Sequence, residues 1–205
     1  MSFYRDRLLP RFLNRIMDRE SLRVVRQRVC GDLRGDVIEI GFGSGLNIPH
    51  YPQAVAGVWA VDPAELGVRL ASGRMAESSV TVHPAGLDGS RLDFADDRFD
   101  CALSTWTLCT IPDVGTALTE LRRVLKPGGT FFFAEHGEAD DRGVRRWQER
   151  LRAVNAAVGG GCQLNRPIGD LIERAGFEIL RLDTYYAEGQ PRPFGYTFEG
   201  VARLA

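Results

Sequence analysis

Several absences narrow the field first. No apolar run approaches the roughly 20 residues that a membrane-spanning helix needs, and no signal-peptide pattern opens the chain. There is no Cys-x-x-Cys: Cys30, Cys101, Cys109 and Cys162 are scattered. That scatter argues against a zinc site, so no metal is expected, and it favours reduced thiols in a cytoplasmic setting. Charge of one sign is missing too, with 26 Lys and Arg against 27 Asp and Glu, so nothing global favours nucleic acid. Repeats and low-complexity tracts are absent. What is left is 205 residues, 44% hydrophobic, the length of one domain with a sizeable core.

The most informative stretch is residues 36–47, Asp-Val-Ile-Glu-Ile-Gly-Phe-Gly-Ser-Gly-Leu-Asn. A short apolar run ending in glycines reads as a buried parallel strand, a tight turn and then a helix N-terminus. Glycines at 41, 43 and 45 allow positive φ and let a ligand approach the backbone. The dinucleotide fingerprint Gly-x-Gly-x-x-Gly would place its third glycine at Leu46, so NAD fits poorly. Glu39 also suits a pyrophosphate badly. It suits a cofactor bearing an ammonium group, with which it would pair directly or through water. A second apolar run, Gly57-Val-Trp-Ala-Val, ends in Asp62, placed to chelate a ribose diol. A tight turn with a capping Asp is the plainer reading of the same residues.

From residue 36 strands and helices alternate, which argues for a mostly parallel sheet covered on both faces. Strands are expected at 36–41, 57–62, 80–85, 99–104 and 129–135, and a helix at 113–126 with Asp113 as its cap. Residues 143–175 read as helices around a break at Gly159–Gly161, and 177–185 and 194–204 as a closing antiparallel hairpin. Residues 1–30 are basic and amphipathic, with Phe3, Leu8, Leu9, Phe12, Leu13, Ile16 and Met17 near helical spacing. They are expected to form a helical cap or lid, with weak membrane-surface contact as the sharper alternative to plain packing. Residues 31–205 then form the single main domain.

Four segments in order give a resemblance. Glu39-Ile-Gly-Phe-Gly-Ser-Gly45, Val61-Asp62, Phe99-Asp100 and Leu125-Lys-Pro-Gly-Gly129 resemble the motifs of the class I S-adenosylmethionine (SAM)-dependent methyltransferases. The likeness implies a Rossmann-like three-layer α/β sandwich, with a seven-stranded, mostly parallel sheet whose last strand is antiparallel. Thr107-Leu-Cys-Thr110, Glu135-His136, Gly161-Cys-Gln-Leu-Asn165 and Glu173-Arg-Ala-Gly-Phe177 resemble the subgroup that includes the mammalian alkyl-thiol methyltransferases. Those enzymes carry an N-terminal membrane anchor, and no run here matches one.

The resemblance implies SAM as cofactor, S-adenosylhomocysteine (SAH) as product and a small, rather apolar acceptor, a thiol first. An O-methyltransferase of a phenol or quinol, an N-methyltransferase of a phospholipid head group and a non-catalytic SAM-binding module stand as alternatives. Ser104-Thr-Trp-Thr107 stands where amine-methylating nucleic-acid enzymes often show Asn/Asp-Pro-Pro-Tyr. The implied cofactor residues are Glu39, Gly41, Gly43, Gly45, Asn47, Asp62, Pro63, Asp88, Gly89 and Thr105. Asp88 would accept from the adenine amino group with Gly89 beside the ring, although Asp93 replaces a common proline nearby. Trp106, Cys109, Cys162 and Asn165 are candidates for the substrate pocket. His136 is the candidate base, against a purely structural histidine. Oligomeric state stays open.

Overall fold

The structure, a computed structural model, describes residues 14–63, 65–86, 88–89 and 91–204. The apolar residues Phe3 to Leu13 expected in the cap lie outside the described residues. The elements run α1 (Glu20–Cys30), β1 (Gly35–Ile40), β2 (Val55–Val61), α2 (Glu65–Glu77), β3 (Val82–Pro84), β4 (Phe99–Thr105), α3 (Val114–Val124), β5 (Leu125–His136), α4 (Arg142–Val158), α5 (Ile168–Arg174), β6 (Phe177–Tyr186), the one-turn α6 (Arg192–Gly195) and β7 (Tyr196–Leu204). One seven-stranded sheet has the order β3-β2-β1-β4-β5-β7-β6. The first five strands pair in parallel, and β7 is antiparallel to both β5 and β6, as the expected closing hairpin requires.

Side-chain alternation divides the core between the two faces of this sheet. Val37, Leu103 and Phe132 pack with Leu22, Val25 and Val29 of α1. Ile38, Ile40, Phe131 and Phe133 pack with Leu118 and Leu121 of α3 and Ile172 of α5. The same alternation sends Glu39, next to Ile38, toward the α1 face. The central strands are apolar on both faces, as parallel strands under two helical layers must be. Among the described residues no helix is long and apolar enough to cross a membrane.

Two expectations change. No α-helix follows the glycine turn. Residues 43–47 continue as turns, a 3-10 turn spans Ile48–His50, and β2 already begins at Val55. Gly45 sits at φ +73° and Pro49 lies in the 3-10 turn, so this short span closes without a regular helix. The helix expected over 113–126 stops at Val124, because Leu125 is already paired with Phe99.

Candidate active site

A cavity of about 830 Å³ opens over the carboxyl ends of β1, β2 and β4. Strand order reverses between β1 and β4, which is where ligands bind in open α/β sheets. Gly41, Gly43, Asp62, Pro63, Asp88, Gly89, Thr105 and Trp106 all line it. Asp62 Oδ2 accepts from the Gly43 amide at 2.7 Å, so the acid ending β2 also clamps the glycine turn. At Gly41, φ is +74° and an added Cβ would lie 1.8 Å from Thr107 Oγ1, so only glycine fits. Trp106 carries a left-handed φ of +51° at the exit of β4, a conformation that costs a bulky residue roughly 1–3 kcal/mol. Its amide donates to Ala134 O at 2.7 Å, and the surrounding packing holds it there.

Three of the expected cofactor residues stand behind the wall instead. Gly45 does not line the cavity, and its missing Cβ makes room for Ile48 Cδ1, which would lie 2.7 Å away. Glu39 is only 1% exposed and does not line the cavity. Its oxygens accept from Asn47 Nδ2 at 2.9 Å and from the Tyr51 hydroxyl, which leaves no direct pairing with a ligand ammonium. Asn47 is buried as well. It donates to Thr105 Oγ1 at 3.0 Å, and its Oδ1 accepts from Arg26 Nη1 at 2.7 Å.

Arg26 is the residue that sequence reasoning missed. It lines the cavity while only 5% exposed, donates also to Thr105 Oγ1 at 3.0 Å, and its guanidinium lies 4.7 Å over the Trp106 ring. Its Nε is buried without a partner among the described residues. A sign was present in the sequence, because Arg26 falls on the apolar face marked by Leu22, Val25 and Val29. Burial holds its guanidinium down to about 10.

Burial pushes the Glu39 carboxyl up to about 7, against hydrogen bonds from Tyr51 and Asn47 and the charge of Arg26. A carboxyl whose folded pKa is raised binds its proton more tightly in the folded state. Its contribution to stability is present below the unfolded value of 4.5 and is lost as pH rises toward about 7. Glu39→Gln removes this term. Relative to wild type, the variant is expected to gain on the order of 3 kcal/mol between pH 4.5 and 7.5, measured by urea unfolding at both pH values. A stability difference that stays constant with pH would show that Glu39 does not titrate in this window.

The remaining candidates gather apart from the cavity lining. Cys109 and Cys162 sulfurs lie 3.4 Å apart, with His136 Nδ1 4.0 Å from the Cys162 sulfur. The Cys109 thiol and then His136 hold Cys162 well below the usual thiol range, while the bond to Cys162 and burial push Cys109 well above it. Asn165 faces elsewhere, donating to Glu149 Oε2 at 2.8 Å on α4. His136 does not line the cavity, and its ring sits 6.1 Å from that of Trp106, which does.

Two buried charges fix the loop after β4. Glu135, fully buried, accepts from Ser104 Oγ at 2.7 Å and from the amides of Thr107 at 3.0 Å and Cys109 at 3.3 Å. Arg166 donates to the carbonyls of Leu108 and Ile111. Amides and carbonyls of one loop are thus held by buried side chains, and Thr107, Thr110 and Ile111 meet the cavity in a fixed arrangement.

A doubly wound sheet with a glycine turn, a strand-end acid and a cavity at its switch point defines a Rossmann-like cofactor enzyme. Residues 38–133 match the methyltransferase domain family. The chain is 32% identical over 172 residues to thiol S-methyltransferase TMT1B of Rattus norvegicus, covering 80% of this chain and 68% of that protein. It is 34% identical over 173 residues to the Mus musculus TMT1B, with the same coverage of 80% and 68%. A solved SAM-dependent methyltransferase from Aquifex aeolicus shares the fold, with a TM-score of 0.65 at 18% identity, covering 96% of this chain and 98% of that one. The chain belongs to the class I SAM-dependent methyltransferases, with SAM as its cofactor, and transfers methyl groups to a small acceptor.

Proposed function

We propose that the acceptor is a small, apolar thiol and that the reaction is S-methylation. The observation that carries this reading is the cavity's lack of a base. Among the described residues the titratable groups lining it are Arg26, Asp62 and Asp88, and all three are assigned here to the cofactor. A thiol needs no strong base, because with an ordinary pKa near 8.5 it ionises appreciably by itself near neutrality. Phenols and alcohols ionise much less readily. The apolar lining of Ile40, Phe42, Leu46, Trp106, Ile111 and Pro112 favours an acceptor without charge. The thiol S-methyltransferase relatives support the same acceptor atom.

SAM supplies a methyl group already activated by its sulfonium. The residues present fit it, through the glycine turn at Gly41 and Gly43 on the cavity wall and the buried Arg26, whose Nε has no partner among the described residues. In this reading Gly41 and Gly43 give room for the methionine part, Asp62 takes the ribose hydroxyls, and Asp88 and Gly89 take the adenine. Arg26 pairs with the carboxylate, while Asn47, itself held by Glu39, and Thr105 keep the guanidinium in place. Met17 and Arg26 contribute to the walls. Fixed walls at Trp106, Thr107 and Thr110 align the incoming sulfur.

SAH release from SAM is the test, with an alkyl thiol, hydrogen sulfide, a catechol, a quinol and phosphatidylethanolamine vesicles. Turnover is expected with the thiols, rising with pH as the free thiol ionises. Turnover confined to the catechol, the quinol or the vesicles would keep the enzyme class and overturn sulfur as the acceptor.

A further inference from the structure

The scattered cysteines argue against a metal when read along the chain, but the fold brings two of them together with a histidine. Cys109 from the loop after β4, His136 from the end of β5 and Cys162 from the loop after α4 offer ligand atoms that all lie within 4.8 Å of one another. We propose that Cys109, His136 and Cys162 bind a zinc ion, in a three-ligand site set just behind the wall of the cavity.

The geometry fits the ion. Zinc at about 2.3 Å from sulfur and about 2.0 Å from nitrogen in a tetrahedral site places two sulfurs roughly 3.8 Å apart and sulfur and nitrogen roughly 3.5 Å apart. The observed separations are 3.4 Å between the sulfurs and 4.0 Å from Cys162 Sγ to His136 Nδ1, with all three ligand atoms within 4.8 Å of one another, so side-chain movements of about 1 Å complete the site. Two thiolates with one imidazole select zinc over the oxygen-seeking magnesium and calcium.

The ligands are held in advance by their neighbours. Gln163 N donates to Cys109 O at 2.8 Å, which lays the two cysteine loops side by side. Asn155 Nδ2 donates to Cys162 O at 2.7 Å, and Glu135 Oε2 accepts from Cys109 N at 3.3 Å. The His136 imidazole lacks a strong partner. Its Nε2 is buried without one among the described residues, and its Nδ1 reaches only the distant Cys162 sulfur. Coordination takes place through Nδ1, the ring atom that already faces the Cys162 sulfur. Binding releases the thiol protons, and two thiolates then neutralise the ion, so the buried site carries little net charge.

Three protein ligands leave a tetrahedral ion one open position. Thr110 and Gly161, which line the cavity, are the chain neighbours of Cys109 and Cys162. The site therefore borders the reaction chamber, and it stands whichever acceptor the enzyme uses.

The test uses the full chain, reduced with a phosphine that does not bind metal, then given zinc alone and dialysed. Elemental analysis is expected to find about one zinc per chain in wild type and in Cys101→Ser, and a loss of at least tenfold in occupancy in Cys162→Ser and His136→Ala. Cobalt(II) on the wild-type protein guards against misfolded variants. It is expected to give thiolate charge-transfer absorption in the near ultraviolet and the intense visible bands of a tetrahedral ion. A wild-type chain that retains no more zinc than Cys162→Ser overturns the proposal, as does a cobalt spectrum without thiolate charge transfer. A disulfide mapped to Cys109 and Cys162 that forms with zinc present overturns it as well.

Discussion

Arg26→Met is expected to weaken SAH binding by about a hundredfold or more, read by isothermal titration calorimetry. The guanidinium is almost wholly buried and already anchored on Asn47 and Thr105, so little ordering remains when an anionic ligand group arrives. Truncating one partner of a buried, hydrogen-bonded charge pair typically costs 2–5 kcal/mol, and about 3 kcal/mol corresponds to more than a hundredfold in Kd. Methionine keeps much of the volume but leaves Glu39 buried without its cation. Pairing the change with Glu39→Gln separates the two effects. The double variant recovers stability through loss of the buried acid, whereas affinity stays low. An affinity within threefold of wild type in either variant would remove Arg26 from the cofactor's contacts.

Asp62→Ala is expected to weaken SAH binding by roughly 30- to 100-fold, since hydrogen bonds to a charged group contribute about 1.5–3 kcal/mol each. The loss has a second source, because Asp62 Oδ2 also holds the Gly43 amide. Asp62→Asn keeps an oxygen for that amide and should recover part of the affinity, so the spread between the two variants measures the clamp against the ribose contact. Alanine binding as tightly as wild type would place the ribose elsewhere.

Much of this architecture was legible in the sequence because parallel sheets leave a strong mark. Apolar runs such as Thr130-Phe-Phe-Phe-Ala134 belong to strands buried on both faces, and the glycine turn and Asp62 sit where strand ends must sit. The segment after the glycine turn reads as a helix start, yet the turns through Gly45 and Pro49 close with bonds three residues apart, such as His50 N to Asn47 O at 2.8 Å, rather than the four of an α-helix. Glu39 suits a ligand ammonium by its charge and its place before the glycines, and only the pleat of β1 shows that its side chain turns toward α1. Cys109, His136 and Cys162 lie 27 and 26 residues apart in sequence, far from any metal-ligand spacing. They come together through three elements whose ends meet at one edge of the sheet, which is information that local pattern does not hold.

Helix α1 joins two places that are otherwise far apart in the sheet order. Arg26 belongs to the cavity, while Arg28 binds both oxygens of Glu199 on β7, at 2.9 and 2.6 Å, and the Tyr185 hydroxyl on β6 at 3.1 Å. One short rod thus spans from the cofactor chamber to the antiparallel edge that closes the fold. The helix that carries a wall of the chamber is therefore moored at its other face to the last two strands, so the C-terminal hairpin is part of what fixes Arg26 in place.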